Sequence, residues 1–190
     1  MKKSNIVLTG FMGAGKTEAG KRLAELMEMD FIDTDVSVEA AVGMKIPQIF
    51  QKYGEKRFRY EEAAVVQKAA VCSNCVIATG GGVVLNPENT KVLRDRGIII
   101  LLTARVDVLA DRIIKPGDRP LLQGGELKTR IRELLSARES YYQDYDYRID
   151  TSELSIEQVA GRIISLLDDN QETVEAGILE KLYVDLKERG

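Results

Sequence analysis

Residues 10–17 read Gly-Phe-Met-Gly-Ala-Gly-Lys-Thr, which satisfies G-x-x-x-x-G-K-[ST]. Glycines at this spacing let successive backbone N–H groups of Gly10, Gly13, Ala14 and Gly15 turn inward around phosphate oxygens. A helix that begins at the end of the loop adds the partial positive charge of its N-terminus. Lys16 reaches the outer phosphates, and the Thr17 hydroxyl is a hard oxygen suited to Mg²⁺. The context agrees, with an apolar run before the loop and a helical pattern after it. The pattern calls for a nucleoside triphosphate and leaves the next step open. No N-K-x-D for guanine is present, and large motor-type ATPases need more chain. A small domain with this loop is expected to transfer phosphate to a small molecule.

Four further clusters supply candidate acceptor chemistry. Asp33-Thr34-Asp35 follows a short apolar run. In an extended backbone, residues two apart face the same way, so both carboxylates would point at the phosphate loop. One would anchor the water shell of Mg²⁺ and the other would accept a hydroxyl proton. The competing reading is a polar turn with one Asp capping the next helix. Arg59 and Glu62, in GEKRFRYEE (54–62), sit three apart on one helical face, so Glu62 can orient Arg59; alone, such a pair is a solvated surface bridge. Gly80-Gly81-Gly82 ends a buried run, where backbone without side chains admits a ligand closely or simply makes a tight turn. Arg119 lies in KPGDRPLLQGG (115–125), a Gly- and Pro-rich stretch that reads as a mobile loop, and Arg138 lies on the helix after it. A loop arginine closing over a transferring phosphate would neutralise developing charge and help exclude water.

The elements that must position these groups alternate. Strands are predicted over 5–9 (NIVLT), 31–33, 75–79 (CVIAT), 97–102 (GIIILL) and 148–150. The unalternating, β-branched 97–102 run suits a sheet covered on both faces. Helices are predicted over 16–27, from Pro47, over 55–70, 106–114, 127–142 and 156–167. Strands alternating with helices indicate an α/β domain with a parallel sheet. No repeat, low-complexity tract or linker interrupts it. Residues 168–175 turn polar and acidic, and from Val174 onward Val174, Ile178, Leu182 and Leu186 recur every fourth residue. That spacing predicts an amphipathic helix, packed on its own domain or on a partner subunit.

The chain has 190 residues and no histidine. That excludes a Ser-His-Asp triad, a His general base and His-ligated zinc or haem. Its net charge is −3, from 27 basic and 30 acidic residues, which argues against a nucleic-acid binder. No apolar run approaches the roughly 18 residues of a membrane span, and Lys16 and the glycines interrupt the N-terminal apolar stretch too early for a secretory signal. A cytoplasmic location and no membrane partner are the expectation. Cys72 and Cys75 form a CxxC, but nothing completes a four-ligand zinc site, and the pair falls between a helix end and a strand start. Two small, half-buried reduced thiols are expected.

Taken together, GFMGAGKT, DTD, GExxFRxxE (54–62), TGGG (79–82), RPLL (119–122) and the downstream Arg138 resemble the shikimate kinase family in order and spacing, over roughly residues 4–167. The resemblance implies a three-layer P-loop fold with a five-stranded parallel sheet in the order 2-3-1-4-5, flanked by helices. It implies transfer of the ATP γ-phosphate to the 3-hydroxyl of shikimate, with Mg²⁺. Residue by residue, Lys16 would contact phosphates, Thr17 would bind Mg²⁺, and Asp33 would hold the ion through water. Asp35 would bind the shikimate hydroxyls and act as base or orient the nucleophile. Arg59 and Arg138 would grip the carboxylate, and Gly80, Gly81 and Gly82 would line the acceptor pocket. Arg119 would be the lid arginine, and Arg112 would stack on adenine. Domain limits of 1–169 for the kinase, with a lid at about 112–125, and 170–190 for a helical extension follow. A monomer is expected, with self-association through the extension as the alternative. The chain departs from the common family loop at Glu18, which follows Thr17, and extends past the usual family end near Asn170. A kinase for gluconate or a nucleoside monophosphate should lack FRxxE and TGGG in this order. A non-catalytic P-loop module should have lost some of Asp35, Arg59, Arg119 and Arg138.

Overall fold

A computed structural model describes residues 3–113 and 127–169. The apolar runs become strands and the periodic segments become helices: β1 (Asn5–Thr9), α1 (Lys16–Leu26), β2 (Asp30–Asp33), α2 (Thr34–Val42), α3 (Ile46–Val71), β3 (Cys75–Ala78), α4 (Pro87–Arg96), β4 (Gly97–Thr103), α5 (Val106–Ile113), α6 (Leu127–Arg138), β5 (Tyr147–Asp150) and α7 (Ile156–Asp168). Short 3₁₀ turns follow β3 (Val83–Leu85) and α6 (Glu139–Tyr142). The five strands are parallel and lie in the order β2-β3-β1-β4-β5. The expected sheet is therefore present.

Alternation along β1 explains the three layers. Ile6 and Leu8 point into one core with Leu23, Ile100, Leu102, Ile163 and Leu167, beneath α1, α5 and α7. Val7 points into the other with Val66, Ile77, Leu93 and Ile99, beneath α3 and α4. Neither face of β4 meets water, as its unbroken apolar run requires. A smaller cluster of Val38, Ile49, Phe58 and Val65 joins α2 to α3 beside the strand ends.

Register puts the candidate residues together. Leu8 lies opposite Ala78 on one side and Ile100 on the other. The carboxyl ends of β1 and β3 thus lie side by side, and the Thr79 N–H donates to the Leu8 carbonyl at 3.0 Å. The phosphate loop and the Gly80–Gly82 turn leave the sheet at the carboxyl ends of its strands, where ligands bind in open α/β sheets.

Three features differ from the expectation. α2 begins at Thr34, so Asp33-Thr34-Asp35 is a strand-to-helix junction and not extended backbone. Asp33 is its cap, accepting from the Asp35 and Val36 N–H groups. α4 is a further helix, opened by Asn86 as cap and Pro87 in the first turn. The two helices expected around Pro47 and residues 55–70 run on through a break at Gly54, whose φ of 76° is left-handed. Of the expected lid at about 112–125, Arg112 and Ile113 are the last residues of α5, while its remainder, with Arg119, and the 170–190 extension lie outside the described residues.

Candidate functional site

The phosphate loop joins β1 to α1. Gly10 packs so closely on β4 that a methyl there would overlap the Leu102 carbonyl. Gly15, at φ 95°, caps α1 without a side-chain bond, which leaves the first-turn N–H groups facing outward. Lys16 is 8% exposed, and its ammonium donates to the carbonyls of Gly10 at 2.7 Å and Phe11 at 2.9 Å. The loop's outer side is buttressed by Thr151, whose hydroxyl donates to the Ala14 carbonyl at 3.0 Å. Arg112 completes that buttress, donating to the Thr151 hydroxyl and carbonyl at 3.0 and 2.8 Å and to the Gly13 carbonyl at 3.4 Å. Arg112, expected to stack on adenine, thus has its guanidinium beside the phosphate loop.

Asp33 has two tasks. One carboxylate oxygen caps α2, and the other accepts from the Thr17 hydroxyl at 2.7 Å. Two hard oxygens are thus side by side at the mouth of the loop. Thr34 is fully buried, and its hydroxyl accepts from the Gly80 N–H at 2.8 Å, which ties the β2–α2 junction to the end of β3. Asp35 projects from the first turn of α2 over Gly80, where a methyl group would overlap its carboxylate. Although the extended-backbone premise fails, Asp33 and Asp35 both face the same cleft.

Arg59 and Glu62, one turn apart on α3, meet at 2.8 Å as expected. Glu62 is 2% exposed, and its second oxygen has no hydrogen-bond partner among the described residues. Burial raises the Glu62 carboxyl above its ordinary range, and Arg59 only partly opposes this; Asp35 pushes it further up while Arg138 opposes. Burial by itself would lower the Arg59 guanidinium, but Glu62 and Glu55 outweigh it and raise its affinity for the proton. Arg138, the last residue of α6, is 7% exposed. It lies 5.9 Å from the Phe11 ring centroid, within cation–π range. It also donates to the Gly81 carbonyl at 3.4 Å.

Thr17, Asp33, Asp35, Arg59, Glu62, Gly81, Gly82 and Arg138 line one cavity of about 540 Å³. That volume suits a small metabolite. Gly82 is at the wall because any side chain would overlap the Arg59 guanidinium. Gly80 is not on the wall, since it is buried beneath Asp35. Glu39 of α2, Lys45 at the cap of α3, and Phe50 and Phe58 of α3 also line the cavity. Sequence reasoning missed these four, because nothing in their spacing distinguishes them from surface and core residues. Lys45 pairs with Glu39 at 2.7 Å, and the Phe50 and Phe58 rings lie 4.8 Å apart.

The arrangement offers two adjoining environments. One has amides, an ammonium and paired hard oxygens for a polyphosphate. The other has two guanidinium groups and a carboxylate for a hydroxylated acid. Among the described residues no group of three or more His, Cys, Asp or Glu could hold a metal by itself.

Comparison with known proteins agrees with this geometry. A sequence model of the shikimate kinase family matches residues 12–168. A shikimate kinase of Caldanaerobacter subterraneus subsp. tengcongensis is 54% identical over 160 residues, covering 84% of this chain and 94% of that protein. One from Pelotomaculum thermopropionicum is 45% identical over 166 residues, covering 87% and 96%. Among solved structures, shikimate kinase from Acinetobacter baumannii in complex with shikimate superposes with a TM-score of 0.85 at 37% identity, covering 88% of this chain and 94% of that one. The enzyme from Aquifex aeolicus gives 0.77 at 32% identity, covering 88% and 98%. With a family model matched over residues 12–168 and relatives at 54% and 45% identity over most of its length, the chain belongs to the shikimate kinase family.

Proposed function

We propose that the chain phosphorylates the 3-hydroxyl of shikimate with ATP, giving shikimate 3-phosphate and ADP. The observation that carries this reading is the single cavity in which Thr17 and Asp33 face Asp35, Arg59 and Arg138. The loop amides of Gly10, Gly13, Ala14 and Gly15, with Lys16, hold the triphosphate, and Arg112 serves the adenine. Arg59 and Arg138 take the shikimate carboxylate, for which guanidinium forks are suited. Asp35 binds the acceptor hydroxyls. As the acceptor oxygen bonds to the γ-phosphorus and the bond to the ADP oxygen breaks, Asp35 takes the hydroxyl proton. Lys16, and Arg119 from the loop outside the described residues, offset charge on the transferring group.

The paired oxygens of Thr17 and Asp33, 2.7 Å apart, fit Mg²⁺, which prefers hard oxygen donors and keeps most of its coordination for water and phosphate. Thr17 would hold the ion directly and Asp33 through water. When bound, Mg²⁺ supplies charge neutralisation on the phosphates.

Residues 1–169 form the catalytic unit, and 170–190 an extension outside the chemistry. No helix among the described residues is long and apolar enough to cross a membrane. The chain is proposed to work in the cytoplasm as a monomer, with self-association through residues 170–190 as the alternative. The test is ADP release with Mg·ATP, with and without shikimate. A shikimate-dependent rate is expected, and a rate no higher than the ATP-only background overturns the proposal.

A further inference from the structure

Two donors share one carbonyl at the floor of the acceptor cavity. The Tyr142 hydroxyl donates to the Gly81 oxygen at 2.7 Å. The Arg138 guanidinium approaches the same oxygen only at 3.4 Å. The shorter contact is a full hydrogen bond, and the longer one lies at the limit of the range. Tyr142 sits four residues after Arg138, in the 3₁₀ turn that follows α6. Its phenol lies outside the cavity lining, behind Gly81.

We propose that Tyr142 is a positioning residue for the acceptor site: by satisfying the Gly81 carbonyl it keeps the Arg138 guanidinium available to the acceptor carboxylate. A second cavity of about 360 Å³, lined by Phe11, Leu102, Leu135, Tyr142, Tyr145 and Arg148, lies on the other side of the ring. Without the hydroxyl, Arg138 is, among the described residues, the remaining side-chain donor near the Gly81 oxygen, and it settles onto that carbonyl in place of the acceptor carboxylate. Burial pushes the Tyr142 hydroxyl up to about 12, and Arg138 opposes this by its charge and by a side-chain hydrogen bond to that hydroxyl, so the two side chains are also in direct contact.

The inference rests on the reading of the 540 Å³ cavity as the shikimate site. Tyr142→Phe removes one oxygen and keeps the ring, so the fold is retained. The expected result is a shikimate KM raised about 3- to 10-fold, the equivalent of one ordinary hydrogen bond, with the ATP KM within about twofold of wild type. An unchanged shikimate KM overturns the proposal. So does an equal rise in both KM values together with a lower Tm, which is the mark of a purely structural hydroxyl. Arg59→Ala measured alongside separates the two readings. If it too leaves the shikimate KM unchanged, the acceptor assignment itself has failed; if it alone raises it, only the role of Tyr142 has.

Discussion

Replacing Arg59 by alanine removes the partner of the most buried carboxylate in the site. Glu62 is 2% exposed and accepts from Arg59 at 2.8 Å. Deleting one member of a buried pair costs about 3–5 kcal/mol when the other charge stays dry. The Arg59 side chain is 25% exposed, so water can enter the space it leaves, and about 2–3 kcal/mol of stability is the expected loss. The loss depends on pH. Burial already holds Glu62 above its ordinary value of 4.5, and Arg59 is the main opposing influence. For a carboxyl raised on folding, its contribution to stability is fully present below the unfolded value and declines as pH rises through the folded value. Without Arg59 the folded value climbs further, and the decline becomes deeper. Denaturant unfolding should therefore show a larger difference between variant and wild type near about pH 8 than near about pH 5. Adding Glu62→Gln, which removes the stranded charge, should recover most of the loss. In the same variant, shikimate affinity should fall by about 2–5 kcal/mol, roughly 30-fold or more in Kd. An equal loss of stability at both pH values, with no recovery from Glu62→Gln, would refute the buried-charge reasoning. An unchanged shikimate Kd would refute the role of Arg59 in carboxylate binding.

Asp35→Asn should lower kcat by about 10²-fold or more, the usual contribution of a positioned base, while calorimetry finds ATP affinity within about twofold of wild type. Gly82→Ala adds a methyl that overlaps the flexible end of Arg59 and not the backbone. Shikimate KM should rise about tenfold with little change in Tm, and a large Tm loss with unchanged KM would contradict this. Thr34→Val keeps the shape but leaves the buried Gly80 N–H without its 2.8 Å acceptor. Denaturation should show a loss of about 1–3 kcal/mol.

Much of the sheet is legible in the chain because its three central strands, β1, β3 and β4, are short, buried apolar runs. The helices that escaped prediction show where periodicity fails. α4 has few apolar residues, Val92 and Leu93 among them, so no stripe marks it; its signal is the Asn86-Pro87-Glu88 start, a capping signature and not a period. α2 carries β-branched Thr34, Val36, Val38 and Val42, poor helix formers. It stands because Asp33 caps it and because Val38 packs with Ile49, Phe58 and Val65. Its capping also explains why Asp33 and Asp35 reach one cleft by a route other than the extended backbone first inferred.

Residue type and local spacing by themselves determined the phosphate loop, the Arg59–Glu62 pair and the exclusion of imidazole chemistry. Each depends on contacts within a turn or two of chain, or on composition alone. The tertiary structure decided that Thr17 meets Asp33, that Asp35 covers Gly80, and that Arg138 and Tyr142 converge on Gly81. Those contacts join segments 16 to 61 residues apart. Their geometry follows from the parallel register of β1, β2, β3 and β4, which sets the strand ends side by side. No local period encodes such a register; it is selected by burial of both faces of the sheet at once.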